Sequence, residues 1–261
     1  MKRTTTHWPA PAKINLFLHI TGRRANGYHD LQTAFQFLAL ADDIALTVRD
    51  DDAVRLLNPM DDVPAESDLT VRAARLLKPH TACRSGVEIE VNKRIPMGGG
   101  LGGGSSDAAT VLLALNQLWA LSLGIDELAE LGLGLGADVP VFVRGSAAWA
   151  EGVGEELTPM DAIESALVVV NPRVAVDTGR VFQAPDLTRN TAPITMHALS
   201  LPDTSNDCQA ITCSLYPEVA QALDWLGRFA PARMSGTGAS VFGPSARPRH
   251  EWQNAPLFHH A

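Results

Sequence analysis

Residues 96–110 read Pro-Met-Gly-Gly-Gly-Leu-Gly-Gly-Gly-Ser-Ser-Asp-Ala-Ala-Thr, with six glycines in the seven positions from Gly98 to Gly104. In a regular element each glycine costs about 0.5–1 kcal/mol relative to alanine, so this run marks a loop. A plain flexible linker would not hold Pro96 and Leu101, nor lead straight into the apolar stretch that begins near Ser105. Bare N–H groups followed by a helix N-terminus suit an anion, phosphate above all. Ser105 and Ser106 close the loop. A hydroxyl there could cap the helix, touch a phosphate or reach a magnesium ion that bridges phosphates. Two ionisable residues could work beside such a loop. Lys13 interrupts an apolar strand pattern, where an ammonium is costly unless paired or at a wet cleft. Asp138, in Gly136-Ala-Asp-Val-Pro-Val-Phe142, stands just before an apolar run. Their plain readings are an edge lysine with its head in water and a loop aspartate. Together they suit phosphoryl transfer to an alcohol: the carboxylate accepts or orients the hydroxyl proton, and the lysine holds that carboxylate and offsets negative charge.

The loop is not a Walker A sequence, because no lysine follows the glycines. Gly98 to Gly103 does satisfy Gly-x-Gly-x-x-Gly, with Asp126 roughly twenty residues on, as in a dinucleotide fold. Any glycine run contains that pattern, however, and Asp126 suits the first turn of a helix. The preceding segment, Val87-Glu-Ile-Glu-Val91, alternates acidic and apolar residues, unlike a buried parallel strand. A dehydrogenase is therefore a distant alternative.

The elements that must position these residues follow from periodicity. Ala12 to Ile20 alternates with period two, placing Lys13, Asn15, Phe17 and His19 on one face. Gly22 to His29 reads as a loop turning at Asn26-Gly27, with Tyr28-His29 an exposed aromatic pair that could hold a base. Strands are expected at 35–40, 44–48, 54–57, 87–91, 139–143, 147–150 and 167–170. Helices are expected from an N-cap at Ser67-Asp68 to about Lys78, and over 105–121, 126–135, 178–183 and 217–229. Phe182 is by default a core residue. Met234 to Phe242 is a second glycine-marked turn running into a strand. The Pro159 to Ser165 connection is the expected domain boundary.

Bulk properties narrow the class. The 261 residues are 46% hydrophobic and 19% charged, enough for one large or two modest domains. A net charge of −8 argues against nonspecific nucleic-acid binding. Cys83, Cys208 and Cys213 lack metal-ligand spacing and imply a reduced, cytoplasmic protein. No signal peptide is visible, and no apolar run approaches the ~20 residues of a membrane span.

Pro11-Ala-Lys-Ile-Asn-Leu, Pro96 to Ser106 and Ser235-Gly-Thr-Gly-Ala together resemble the three motifs of the GHMP kinase superfamily, in order. Gly27-Tyr-His-Asp-Leu, Gly136-Ala-Asp-Val-Pro-Val-Phe, Glu151-Gly-Val-Gly-Glu and Ser205-Asn-Asp-Cys resemble its branch acting on a cytidine-diphosphate-linked methylerythritol. The likeness spans about residues 9 to 243. It implies an α+β fold of two lobes, the N-terminal of ribosomal-protein type over 1–160 and the C-terminal ferredoxin-like over 161–261. It implies ATP as donor, magnesium as the associated ion, and phosphorylation of the 2-hydroxyl of the methylerythritol part. Lys13 and Asp138 fall on the family's catalytic pair. Pro96, Met97, Gly98, Gly99, Gly100, Leu101, Gly102, Gly103, Gly104, Ser105 and Ser106 fall on its ATP-phosphate loop. Asn15, Tyr28, His29 and Phe182 fall on its acceptor positions, with the aromatics around cytosine.

After Phe242 the chain departs from the family pattern, and the C-terminal lobe is expected to be shortened, lacking an edge strand and its covering helix. An exposed sheet edge and apolar surface would then lower thermal stability relative to a longer family member. Two further functions stay open on sequence alone. One is a kinase of another small alcohol such as homoserine or mevalonate. The other is a catalytically silent nucleotide-binding protein of the same fold.

Overall fold

The computed structural model describes residues 4–60, 63–81, 85–163 and 165–245. The segment after 245, where most of the expected departure from the family pattern falls, lies outside the described residues, as does Cys83. The chain forms two compact units: Met1–Ala12, Leu38–Ile95 and Gly102–Ser146 in the first, Lys13–Phe37, Pro96–Leu101 and Ala147–Ala261 in the second. Two long strands, β1 (Thr5–Arg23) and β2 (His29–Arg49), contribute residues to each.

In the first unit, β2 pairs antiparallel with β4 (Gly86–Asn92), from Asp43 opposite Asn92 to Arg49 opposite Gly86. β3 (Val54–Leu56) lies parallel on β4's other side. Among the described residues four α-helices belong to this unit: α1 (Leu69–Leu77), α2 (Gly103–Leu118), α3 (Ile125–Leu133) and α4 (Val139–Arg144). Asp68 caps α1, its carboxylate accepting Thr70 N–H at 2.8 Å. Along α2, Ala108, Val111, Leu112, Ala114 and Leu115 are fully buried, so this helix is apolar nearly all round.

The span 139–143, expected as a strand, is helix α4. All five residues are buried, so no polar face reveals the period. Pro140 sits in the first turn, where its missing N–H is harmless, and Gly145 ends the helix with φ +66°. The strands expected at 35–40 and 44–48 are one element, β2. Asp42 inside it looks like a break but is 1% exposed, its carboxylate accepting the backbone N–H groups of Arg94 and Ile95.

In the second unit, β2 pairs antiparallel with β5 (Ala148–Glu151), Thr33 opposite Ala150, and β5 pairs with β6 (Glu156–Pro159). A separate antiparallel sheet has the order β7 (Leu167–Val170), β9 (Val241–Pro244), β8 (Arg233–Met234). Helices α5 (Thr178–Gln183), α6 (Gln209–Leu215) and α7 (Pro217–Gly227) belong here. Leu18 and Ile20 of β1 join Val168, Val170, Val181, Val219, Leu226 and Val241 in one apolar core. No described helix is long and apolar enough to cross a membrane.

Candidate active site

The glycine loop alternates in backbone hand. Gly98, Gly100 and Gly102 have φ of +63°, +71° and +71°. Alternation of this kind turns successive N–H groups toward one concave side. The carbonyls are engaged by the protein. Ser240 N–H donates to Gly99 O and Lys13 N–H to Leu101 O, each at 3.0 Å. Ser235 Oγ donates to Gly100 O at 2.8 Å. Among the described residues, no N–H from Gly98 to Gly104 donates to a backbone carbonyl outside the regular elements. A loop with its acceptors engaged and its donors spare fits a polyanion. Gly100 could be nothing else: a Cβ there would lie 2.3 Å from Ser235 O and 2.8 Å from Gly238 O. Leu101, odd for a linker, is a buried anchor. Pro96 is half-buried and Met97 is 63% exposed.

Helix α2 begins on Gly102 in the left-handed conformation, with no side-chain cap. Of the roles open to Ser105 and Ser106, capping the helix is therefore not the one they take. Ser106 is fully buried, and its hydroxyl donates to Pro11 O at 2.7 Å, bracing the helix against β1. Its neighbour Ser105 is half-buried. A Cβ on Gly136 would lie 3.6 Å from Ser105 Oγ, so the turn leading to Asp138 packs on the first turn of α2. Asp138 itself is half-buried and immediately precedes α4 without capping it.

Lys13 is 4% exposed, which rules out an edge lysine with its head in water. Its Nζ donates to Asn15 Oδ1 at 2.7 Å and to Gly100 O at 3.4 Å, and lies 5.2 Å from the Phe35 ring centroid. Asn15 Nδ2 donates to Thr33 Oγ1 at 3.0 Å, and its backbone N–H to Ser235 Oγ at 3.1 Å. Lys13, Asn15 and the first half of the glycine loop thus form one buried network within the second unit. Asp138 and residues 102–106 belong to the first unit.

The pair Tyr28-His29 splits in two. Tyr28 is 64% exposed, whereas His29 opens β2 and is 8% exposed. Its ring stacks on Phe182, centroids 5.2 Å apart, and Phe182 also packs against the apolar core of this unit. Burial lowers the His29 pKa, with the charges of Arg189 and Arg23 acting the same way and Asp30 opposing.

Several residues of this neighbourhood have roles that sequence reading missed. Ser235 lay inside a recognised motif, but nothing local showed that its hydroxyl serves both glycine loop and β1. Asn206 Nδ2 donates to Met234 O and Gly236 O, both at 2.8 Å. Lys93, just before the loop, bridges Asp42 and Asp107 of α2. Burial raises the Asp107 pKa to about 7, with Asp42 adding to the rise and Lys93 opposing it.

Comparison with known proteins gives this geometry a family. Residues 68–146 match the GHMP kinases N terminal domain and residues 191–251 the GHMP kinases C terminal domain. The chain belongs to the GHMP kinase family, in the branch of the 4-diphosphocytidyl-2-C-methyl-D-erythritol kinases. It is 58% identical to the kinase of that name from Alkalilimnicola ehrlichii, covering 92% of this chain and 83% of the relative. It is 56% identical to that from Nitrosococcus oceani, covering 90% and 84%. A crystal structure of 4-(cytidine 5'-diphospho)-2C-methyl-D-erythritol kinase superposes with a TM-score of 0.80 at 35% identity, over 95% of this chain and 93% of that one. Mevalonate kinase from Methanococcus jannaschii shares the fold, with a TM-score of 0.66 over 96% of this chain and 93% of that one at 13% identity.

Proposed function

We propose that this chain transfers the γ-phosphoryl group of ATP to the 2-hydroxyl of 4-(cytidine 5'-diphospho)-2-C-methyl-D-erythritol, in non-mevalonate isoprenoid precursor biosynthesis in the cytoplasm. One observation carries the reading: a buried ammonium, Lys13, bonded to a carbonyl of a loop whose amide donors are spare. The N–H groups of residues 98–104 hold the phosphates. Residues 1–160 form the lobe carrying most of this machinery and 161–261 the second lobe. The two family matches fall on either side of that boundary.

The residue roles follow from chemistry. Asp138 takes the proton of the attacking 2-hydroxyl, the new P–O bond forms to that oxygen, and the bond to the β-phosphate oxygen breaks to release ADP. Lys13 offsets negative charge at the transferred group, oriented by Asn15, which is itself held by Thr33. Positioning and preorganised charge supply most of the rate. Magnesium, when bound, would offset the negative charge of the phosphates. Of the two serines Ser105 would be the one to hold it, since the hydroxyl of Ser106 donates to Pro11 O. Tyr28, His29 and Phe182 hold the cytosine, Phe182 and His29 already stacked.

The test is ADP release with the cytidylylated methylerythritol as acceptor, comparing wild type, Asp138→Asn and Lys13→Ala. Both variants are expected to lose about 10²-fold or more in kcat. Near wild-type turnover in both would reject the catalytic pair, and no ADP release from wild type would reject the reaction.

A further inference from the structure

The buried ring of His29 has a second partner besides Phe182: its Nε2 lies 3.1 Å from Nε of Arg189. A guanidinium only donates, so Nε2 must accept and carries no proton. The one proton of the neutral imidazole is then on Nδ1. Arg189 is itself held rigidly. Its NH2 group donates to the carbonyls of Phe182 at 3.1 Å and Ala184 at 2.7 Å, and its NH1 group to Leu187 at 3.0 Å and Pro185 at 3.4 Å. One planar fork therefore fixes the end of α5, which bears Phe182, and the edge of His29 together. Burial opposes a second proton on the ring, with the charge of Arg189 and that of Arg23 at the end of β1 adding to it; Asp30 of β2 pulls the other way.

We propose that Arg189 is a positioning residue that sets the tautomer of His29, so that Nδ1–H presents a lone donor to the nucleobase and selects cytosine over uracil. This rests on the reading of His29 and Phe182 as the nucleobase site. Cytosine has a lone pair at N3, whereas uracil has an N–H there. A donor on Nδ1 satisfies the first and meets the second with donor against donor. Two buried N–H groups would then go unpaired, which is the strong form of discrimination. An imidazole free to exchange tautomers would serve either base.

Protein labelled with 15N-histidine tests the tautomer directly, with the His29 signals assigned by their loss in His29→Gln. At pH 7.5 wild type is expected to show a protonated Nδ1 and an unprotonated Nε2. Arg189→Ala is expected to lose that pattern and to raise KM for the cytidine acceptor about tenfold, with kcat and KM for ATP within about twofold. The cytidine-over-uridine preference in kcat/KM is expected to fall about tenfold as well. A protonated Nε2 in wild type, or an unchanged base preference in Arg189→Ala, would overturn the proposal. The wild-type spectrum needs no variant to fold. Absent ADP release from wild type would instead count against the kinase reading and leave the tautomer result standing.

Discussion

Gly100→Ala is the sharpest perturbation of the proposed phosphate loop. At φ +71° a residue with a Cβ pays about 1–2 kcal/mol. The added carbon would also lie 2.3 Å from the carbonyl of Ser235 and 2.8 Å from that of Gly238. Both are backbone atoms, so ordinary van der Waals contact needs a relative shift of roughly 1 Å. The Gly100 carbonyl accepts from Ser235 Oγ and Lys13 Nζ, so the shift reaches the ammonium as well as the amide cradle. Misplacement on that scale costs about 10²-fold in rate. Adding the strain, we expect kcat/KM for ATP to fall about 10²-fold or more. The melting temperature should fall by about 4–8 °C, as for a loss of about 2 kcal/mol in a chain of this size. The assay is ADP release at varied ATP, paired with a thermal melt. Gly227→Ala is the control. Gly227 lies at the end of α7 with nothing within 4 Å of an added Cβ. It should melt slightly higher, by the helix-propensity gain of about 0.5–1 kcal/mol, with unchanged kinetics. A folded Gly100→Ala protein with ATP kinetics within twofold of wild type would refute the proposed loop geometry.

Other consequences concern groups around the site. Because burial holds the Asp107 pKa near 7, above its unfolded value, its contribution is fully present below about pH 4 and is lost as pH rises through about 7. Wild type should therefore lose stability relative to Asp107→Asn between pH 5 and pH 8 in urea titrations; a gap independent of pH would contradict this. Asn206→Ala strips donors from the carbonyls of Met234 and Gly236 and an acceptor from the N–H of Cys208. It should cost about 2–4 kcal/mol, read as a lower urea midpoint with the slope unchanged, and a midpoint equal to wild type would speak against it.

Much of this was legible in the sequence where a local period or a local backbone demand did the work. Period two along β1 placed Lys13 and Asn15 on one face, and they are hydrogen-bonded there. The glycine run announced a loop of spare donors. Legibility failed where burial removed contrast: Val139–Val143 is apolar on every side, and length alone did not separate helix from strand. It failed again at Asp42, where a buried carboxylate serving two backbone amides reads as a gap between strands. No serine caps α2, because a left-handed glycine already turns the chain there. Arg189 left no local signal, since its partner His29 lies 160 positions away. Hydrogen bonds that join distant segments have no period, and they assemble most of the site.

The hydroxyl of Ser235 steadies a carbonyl 135 positions earlier and receives an amide 220 positions earlier. During synthesis on the ribosome, the cradle therefore stays unfinished until Ser235 has been joined. A nascent chain stalled before that point would carry every loop glycine and Lys13, yet lack the brace that arranges them. If the loop holds nucleotide as proposed, that affinity is a late property of the growing polypeptide, and distant contacts of this kind also slow refolding of the finished one.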